Sequence, residues 1–549
     1  MASLPRLSRD VALSPAWQER PDLEMPPPTA VGLPERAVQF GTGAFLRGFV
    51  DYFVDAANRQ GSFAGSIVAV GSTESGRDTV LNEQDGLYTL AVRGLENGVP
   101  VERLRVVASL SRALSAVSEW PAVLAVARDP NIALVFSNTT EVGIALDDTD
   151  RADLDPPRSF PGKLTRFLYE RATAFDYDPA AGVVVLPCEL LENNGAQLGE
   201  IVRTLAGRWQ LGLRFERWLD RHIVFCNTLV DRIVAGTPAS DEVKRFCDTL
   251  GYADSLLTAC ETYRLFAIEG DAAIRARLGF ADADAGIVVA PDISDYRELK
   301  VRVLNGAHTA MVPVALLCGL ETVRDAVEDA HVGAFVRTIM FDEVVPSLSA
   351  GGGEEFAEAV LQRFGNPFIR HALIDITLHG TTKLRVRVVP SIIELHHRAG
   401  RIADGLAFAF AAHLLFLRGD LQTERRERGL AVPDDAAGAV VQAYWRGVDA
   451  DSDYALGAFV EEVCADESLW GVDLSRLPGF VAAVRDHLAR CCRRGVRAAL
   501  VCVHGDREGR HPERSEGSAF ESRSSQLRDP EADPSLAALA QDDDRGASR

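Results

Sequence analysis

The sequence predicts an α/β fold: an N-terminal Rossmann-type domain built on a mostly parallel sheet, then a C-terminal all-helical domain. Three observations carry it. Up to Pro187, short apolar runs alternate with helix-length mixed segments, the pattern of strands joined by crossover helices on both faces of a sheet. The first run ends in a tight glycine turn, Gly41-Thr42-Gly43. From about Asp295 the strand-like runs stop, and apolar residues recur at helical spacing between Pro and Gly breaks.

Element by element, residues 1–32 are Pro-rich and lack periodicity, so they read as an arm that is wrapped on the surface or left loose. Strands are expected at 37–40, 66–71, 87–93, 104–109, 133–137 and 182–187, within a dinucleotide-binding domain covering 33–294. Helices are expected at 298–318, 354–364, 406–417 and 480–492, within a substrate domain covering 295–503. Residues 504–549 mix charges with Ser, Gly and Pro and hold few bulky apolar groups, so disorder is expected there.

Composition bounds the function. A chain of 549 residues exceeds one simple core. A net charge of −21 argues against a general phosphate-backbone binder, so no nucleic-acid partner is expected. No run is long and apolar enough to span a bilayer, and charges and prolines interrupt the N-terminus where a signal peptide would be apolar. No membrane partner and a cytoplasmic location are therefore expected. The nine cysteines are scattered and never spaced as CxxC, so they read as reduced, with no metal site. Among the 58 basic residues only Lys163, Lys244, Lys300 and Lys383 are lysines. Where arginine serves nearly every cationic position, a retained lysine suggests a site that needs a compact, titratable amine; codon bias is the plain alternative.

The turn Gly41-Thr42-Gly43 lets backbone approach a pyrophosphate, although Leu46 replaces the third glycine of the dinucleotide pattern and an ordinary turn would look similar. Glu74, just beyond the second strand, is the candidate for the ribose hydroxyls. Asn138, Thr139 and Thr140 follow a buried strand on the edge where a nicotinamide would lie, unless they only cap that turn. In the run Tyr296 to His308, a helix at about 100° per residue sets Lys300, His308 and Asn305 on one side of the cylinder, shared with Leu304. A buried amine loses basicity through desolvation, which suits a general acid and base; a snorkelling lysine beside a core histidine is the structural alternative.

The stretches QFGTGAFLRGFVD, NEQDGLYTLAVRG, VFSNTTEVGI, FPGKLTRFLYER, VLPCELLENNG, TLVDRIV, KVRVLNGAHTAMVPV and RFGNPFIRHALIDITLHGTTKLRVRVVP resemble the mannitol dehydrogenase family of long-chain polyol dehydrogenases, most closely its tagaturonate reductase branch. The K-x4-N-x2-H run is that family's catalytic signature. The resemblance implies NAD as cofactor, no metal, and hydride transfer between the nicotinamide and a secondary alcohol or ketone of a sugar acid in hexuronate catabolism. It also implies Lys300 as general acid and base, Asn305 and His308 on the reacting oxygen, and Asn194, Asp231 and Lys383 as substrate contacts. Phe40, Phe45 and Arg47 flank the glycine turn in the implied cofactor site. Polyol-specific members differ at the positions held here by Leu190 and Asp375, which favours a sugar-acid partner over mannitol. A sugar acid needs local positive charge in so acidic a chain, with Lys163, Lys383, Arg385 and Arg387 as candidates and Lys383, which follows an expected loop at His379-Gly380-Thr381-Thr382, foremost. Fructuronate reductase, a polyol dehydrogenase, or a catalytically silent sensor on the same fold are the alternatives. A monomer or small homo-oligomer is expected.

Overall fold

The computed structural model describes residues 4–72, 76–139, 143–418 and 435–501, so the 504–549 tail lies outside the described residues. Its spine is a six-stranded sheet in the order Leu110–Ser115, Ser66–Gly71, Glu35–Phe40, Leu134–Ser137, Val184–Pro187, Val224–Phe225. Every neighbouring pair is parallel. Strand order therefore reverses between Glu35–Phe40 and Leu134–Ser137, the switch point at which doubly wound folds bind nucleotides.

Both faces of this sheet are covered, and the sequence alternates between two cores. Ala37, Ile67, Leu134 and Phe136 pack with Phe49, Phe53 and Phe266. Val38, Phe40, Val68 and Val135 pack with Trp120, Phe160 and Phe167. Complete burial of each such side chain contributes about 1.5–3 kcal/mol, which fixes the register because a one-residue slip would exchange the two sets.

Two expected strands do not belong to this sheet. The runs at 87–93 and 104–109 fall in an antiparallel hairpin, Tyr88–Glu96 with Val99–Val107. The hairpin turns through Asn97 and Gly98, both at positive φ (52° and 76°), as a type I′ turn requires. It lies in a mixed five-stranded sheet with Leu23–Glu24, Thr258–Glu261 and Val234–Gly236. The third strand of the parallel sheet, Leu110–Ser115, begins only after the hairpin. The arm is wrapped and not loose: Leu7, Val11, Leu23 and Met25 are buried with Leu104, Phe246 and Tyr252, and Leu23 pairs with Leu104.

From Ser294 onward the described residues are mainly helical. Asp404–Phe416 is buried from Gly405 through Phe416. A three-stranded sheet of Thr228–Asp231, Leu265–Glu269 and Ile287–Ala290 precedes it and carries Asp231. Two details differ from expectation. The 298–318 run is not one α-helix, because Leu299–Asn305 is a π-helical segment between Ser294–Glu298 and Gly306–Leu317. The loop expected at 379–382 is absent: His379, at φ 55°, caps the helix Gly380–Arg387, which takes in Gly380 to Thr382 and carries Lys383. Among the described residues no helix is long and apolar enough to cross a membrane.

Candidate active site

The π-helical segment sets the geometry of the lysine site. Its i to i+5 pairing widens the turn, so Lys300 and Asn305, five apart, come onto one face more closely than an α-helix would bring them. Lys300 is half-buried, and its Nζ donates to the Val230 carbonyl at 2.7 Å, beside Asp231. Burial pushes its pKa below the ordinary lysine value; Asp231 opposes this, while the Arg363 and Arg387 charges reinforce it.

His308 stands on the next turns, in Gly306–Leu317, and is buried. Its ring stacks on Phe364 at 4.2 Å and meets His371 edge-on at 5.1 Å. Burial, then His371, Arg363, Arg387 and Lys383, hold its pKa well below the ordinary histidine value, so the imidazole is neutral. Its buried Nε2 has no hydrogen-bond partner among the described residues. A buried polar nitrogen left unpaired is costly, and a ligand oxygen would satisfy it. Gly306 allows this packing: a Cβ there would stand 3.1 Å from the Arg387 carbonyl.

Arg363, at the end of Gly353–Phe364, joins the two halves. Its guanidinium donates to both Asp231 oxygens at 2.8 Å and to both Glu261 oxygens at 2.8 and 3.0 Å, over the Tyr263 ring. The two carboxylates push its pKa up, against burial that lowers it. Asp231, expected as a substrate contact, stands beside Lys300, held by an arginine and a glutamate that sequence reasoning did not single out.

Other expected contacts stand differently. Asn194 is fully buried, with Nδ2 donating to Pro187 O, Glu189 O and Thr228 Oγ1 and Oδ1 accepting from Gly195 and Thr228 N–H. It staples strand ends together and has no capacity left for substrate. Lys163 lies in Phe160–Ala174 with Nζ donating to Arg158 O. Arg385 donates to Ser468 O. Of the four candidate cations, Lys383 and Arg387 are the two whose charges act on His308. Lys383 Nζ donates to Ile376 O at 3.0 Å, and Arg387 reaches Thr309 Oγ1 at 3.5 Å. Leu190 is exposed and Asp375 neighbours His371.

At the switch point, Gly41 has φ 138°, and a Cβ on it would meet Leu46 at 2.8 Å and the Asn138 carbonyl at 3.0 Å. A Cβ on Gly43 would meet nothing within 4 Å among the described residues, room that suits a pyrophosphate. Asn138 donates from Nδ2 to Cys188 O and from its backbone to Phe40 O. Thr139 N–H and Oγ1 both donate to Glu189, as does Ser137 Oγ. Glu189, which sequence reasoning missed, ties the two strand ends that face the turn. Burial raises its pKa despite these donors. Phe40 packs in the core against Phe160, and Phe45 stacks on Phe49. Arg47 is buried, donating to Thr42 O and Thr258 Oγ1, so it braces the turn. Glu74 and Thr140 lie outside the described residues.

A doubly wound parallel sheet with an open glycine turn at its switch point, and in the same chain a desolvated lysine and an unpaired neutral imidazole, is the arrangement of a nicotinamide-dependent oxidoreductase. Two family models match the chain in succession, the mannitol dehydrogenase Rossmann domain over residues 35–280 and the mannitol dehydrogenase C-terminal domain over residues 292–492. The chain belongs to the mannitol dehydrogenase family. It is similar to the altronate oxidoreductases of Pectobacterium atrosepticum (42% identical over 472 residues) and Yersinia pestis (41% over 472), each covering 85% of this chain and 96% of the relative. That of Bacillus subtilis is 40% identical over 474 residues, 86% of this chain and 96% of the relative. In fold it resembles D-sorbitol dehydrogenase (TM-score 0.71, 24% identity, covering 88% of this chain and 98% of that one). It also resembles Pseudomonas fluorescens mannitol 2-dehydrogenase (TM-score 0.65, 23% identity, covering 91% and 100%).

Proposed function

We propose that this chain interconverts tagaturonate and altronate: tagaturonate + NADH + H⁺ gives altronate + NAD⁺. The observation that carries the reading is the similarity, above 40% identity over 472 residues, to altronate oxidoreductases. The site agrees with it. The Gly41–Gly43 turn, Asn138 and Thr139 would hold NADH, which would supply the hydride. Lys300, as the ammonium, gives its proton to the substrate carbonyl oxygen as the hydroxyl forms, and the neutral amine takes it back in the oxidation direction. His308 Nε2 and the Asn305 amide hold that oxygen and stabilise the charge it develops. Asp231, clamped by Arg363, keeps Lys300 placed through the neighbouring Val230 carbonyl. Lys383 and Arg387 supply the positive charge that draws the substrate carboxylate.

A panel of hexonates and neutral polyols, assayed by nicotinamide absorbance with NAD and NADP, tests the reading. Altronate with NAD is expected to give the highest kcat/KM. A polyol that exceeds it overturns the sugar-acid assignment.

A further inference from the structure

Glu189 is a buried carboxylate for which the proposed chemistry has no use. It stands two residues past the strand Val184–Pro187. Its Oε1 accepts from the Thr139 N–H at 3.0 Å and from Thr139 Oγ1 at 3.1 Å, and its Oε2 accepts from Ser137 Oγ at 3.0 Å. Three such donors stabilise the ionised form, against the burial that opposes it. All three are neutral, and among the described residues no lysine, arginine or histidine forms an ion pair with Glu189. A buried charge without a counter-ion is costly, and a cationic ligand beside it offsets that cost.

The strand order decides which part of the cofactor comes there. The glycine turn after Glu35–Phe40 would take the pyrophosphate, and Ser66–Gly71 and Leu110–Ser115 lie on one side of it. Adenosine belongs to that side, which leaves the nicotinamide to the ends of Leu134–Ser137 and Val184–Pro187 on the other. Glu189 joins those two ends. The lysine site borders the same segment. Glu192 Oε1 stands 3.5 Å from Nη1 of Arg297, which lies one turn before Lys300. Asn194 Nδ2 donates to the Glu189 carbonyl and to Thr228 Oγ1, each at 3.1 Å, and two residues beyond Thr228 the Val230 carbonyl accepts from Lys300. A ring that passes hydride to a ketone held at Lys300 has its place where the strand ends meet this segment, next to Glu189.

Taking the Gly41–Gly43 turn and Thr139 as the NADH site, we propose that Glu189 sets the redox preference of that site: its carboxylate favours the positively charged nicotinamide of NAD⁺ over the uncharged dihydronicotinamide of NADH. When the hydride leaves the ring with its electron pair, the ring becomes a cation. A fixed negative charge beside it stabilises that cation, and the charge that develops on the way to it, with no rearrangement of the chain.

The experiment measures Kd for NADH by fluorescence and for NAD⁺ and ADP-ribose by calorimetry in the wild type, Glu189→Gln, Glu189→Met and Gly41→Val. Glutamine keeps the size of the side chain and an acceptor for Thr139 while removing the charge. In Glu189→Gln, Kd for NAD⁺ is expected to rise about tenfold, while those for NADH and for ADP-ribose, which lacks the ring, move less than about twofold. Glu189→Met removes the clamp as well, so all three ligands weaken, but the ratio of Kd for NAD⁺ to Kd for NADH again rises. A ratio that stays at the wild-type value in either variant overturns the inference, and so does an ADP-ribose Kd that rises in Glu189→Gln as much as that of NAD⁺, which would make Glu189 a structural clamp only. Unaltered binding of NADH and NAD⁺ by Gly41→Val would instead overturn the reading of the turn as the cofactor site, and the inference with it.

Discussion

Replacing Arg363 with methionine tests how the two halves of the site are held together. The substitution keeps the volume of the aliphatic stem but removes four hydrogen bonds of 2.8–3.0 Å to Asp231 and Glu261. Both carboxylates are nearly inaccessible, with side chains 6% and 1% exposed, so water cannot replace the guanidinium. Breaking a buried pair in this way costs about 3–5 kcal/mol. At about 2 cal/mol/K of unfolding entropy per residue, a chain of this length should lose roughly 3–4 °C in Tm. The catalytic consequence has a definite sign. Arg363 lowers the Lys300 pKa, and Asp231 raises it. Removing the arginine deletes the first effect and strengthens the second, so Lys300 becomes a stronger base. The rising limb of kcat/KM for altronate oxidation, which follows loss of the Lys300 proton, should move to higher pH. Each unit of movement lowers the neutral-pH rate about tenfold. Calorimetry and a pH profile give both readings. A variant with an unshifted limb, whatever its Tm, would refute the electrostatic role, and an unchanged Tm would refute the clamp.

Three further substitutions separate catalysis, recognition and fold. Lys300→Ala should lower turnover roughly 10²–10⁴-fold with NADH affinity nearly unchanged, and Lys300→Arg should do little better because guanidinium stays protonated; steady-state rates and fluorescence titration check this. Lys383→Met should raise KM for altronate far more than for altritol, since the acid alone loses a charge-assisted hydrogen bond worth about 1.5–3 kcal/mol; equal losses would assign Lys383 to the fold. Asn194→Ala should act on thermal stability, at about 1–3 kcal/mol for each partner left unsatisfied, and leave KM for altronate close to wild type.

Sequence patterns carried the catalytic run and the cofactor turn because both are local. Gly41 needs a positive φ and a close approach to Asn138, which only glycine provides, and Lys300, Asn305 and His308 lie within nine consecutive positions. The π-helical pairing that brings Lys300 toward Asn305 has no residue signature and appears only in the backbone. Arg363 was out of reach for another reason: it stands 132 residues from Asp231 and 102 from Glu261, so nothing local ties it to them. The hairpin was legible in principle. Asn97-Gly98 between two apolar runs is a strong type I′ signal, but the run at 104–109 takes in only the end of one strand and stops just short of Leu110–Ser115. The loop expected before Lys383 failed because His379 takes a left-handed capping conformation normally left to Gly or Asn, which starts the helix at once.

The central claim is that this site passes a hydride and a proton to the ketone of a sugar acid, with Lys300 as the proton donor. Its most direct test follows NADH consumption with tagaturonate while the product is identified, in the wild type and in Lys300→Ala. One altronate is expected per NADH consumed by the wild type, with a rate at least about 100-fold lower in the variant. No tagaturonate-dependent consumption by the wild type, or comparable rates in both proteins, would contradict it.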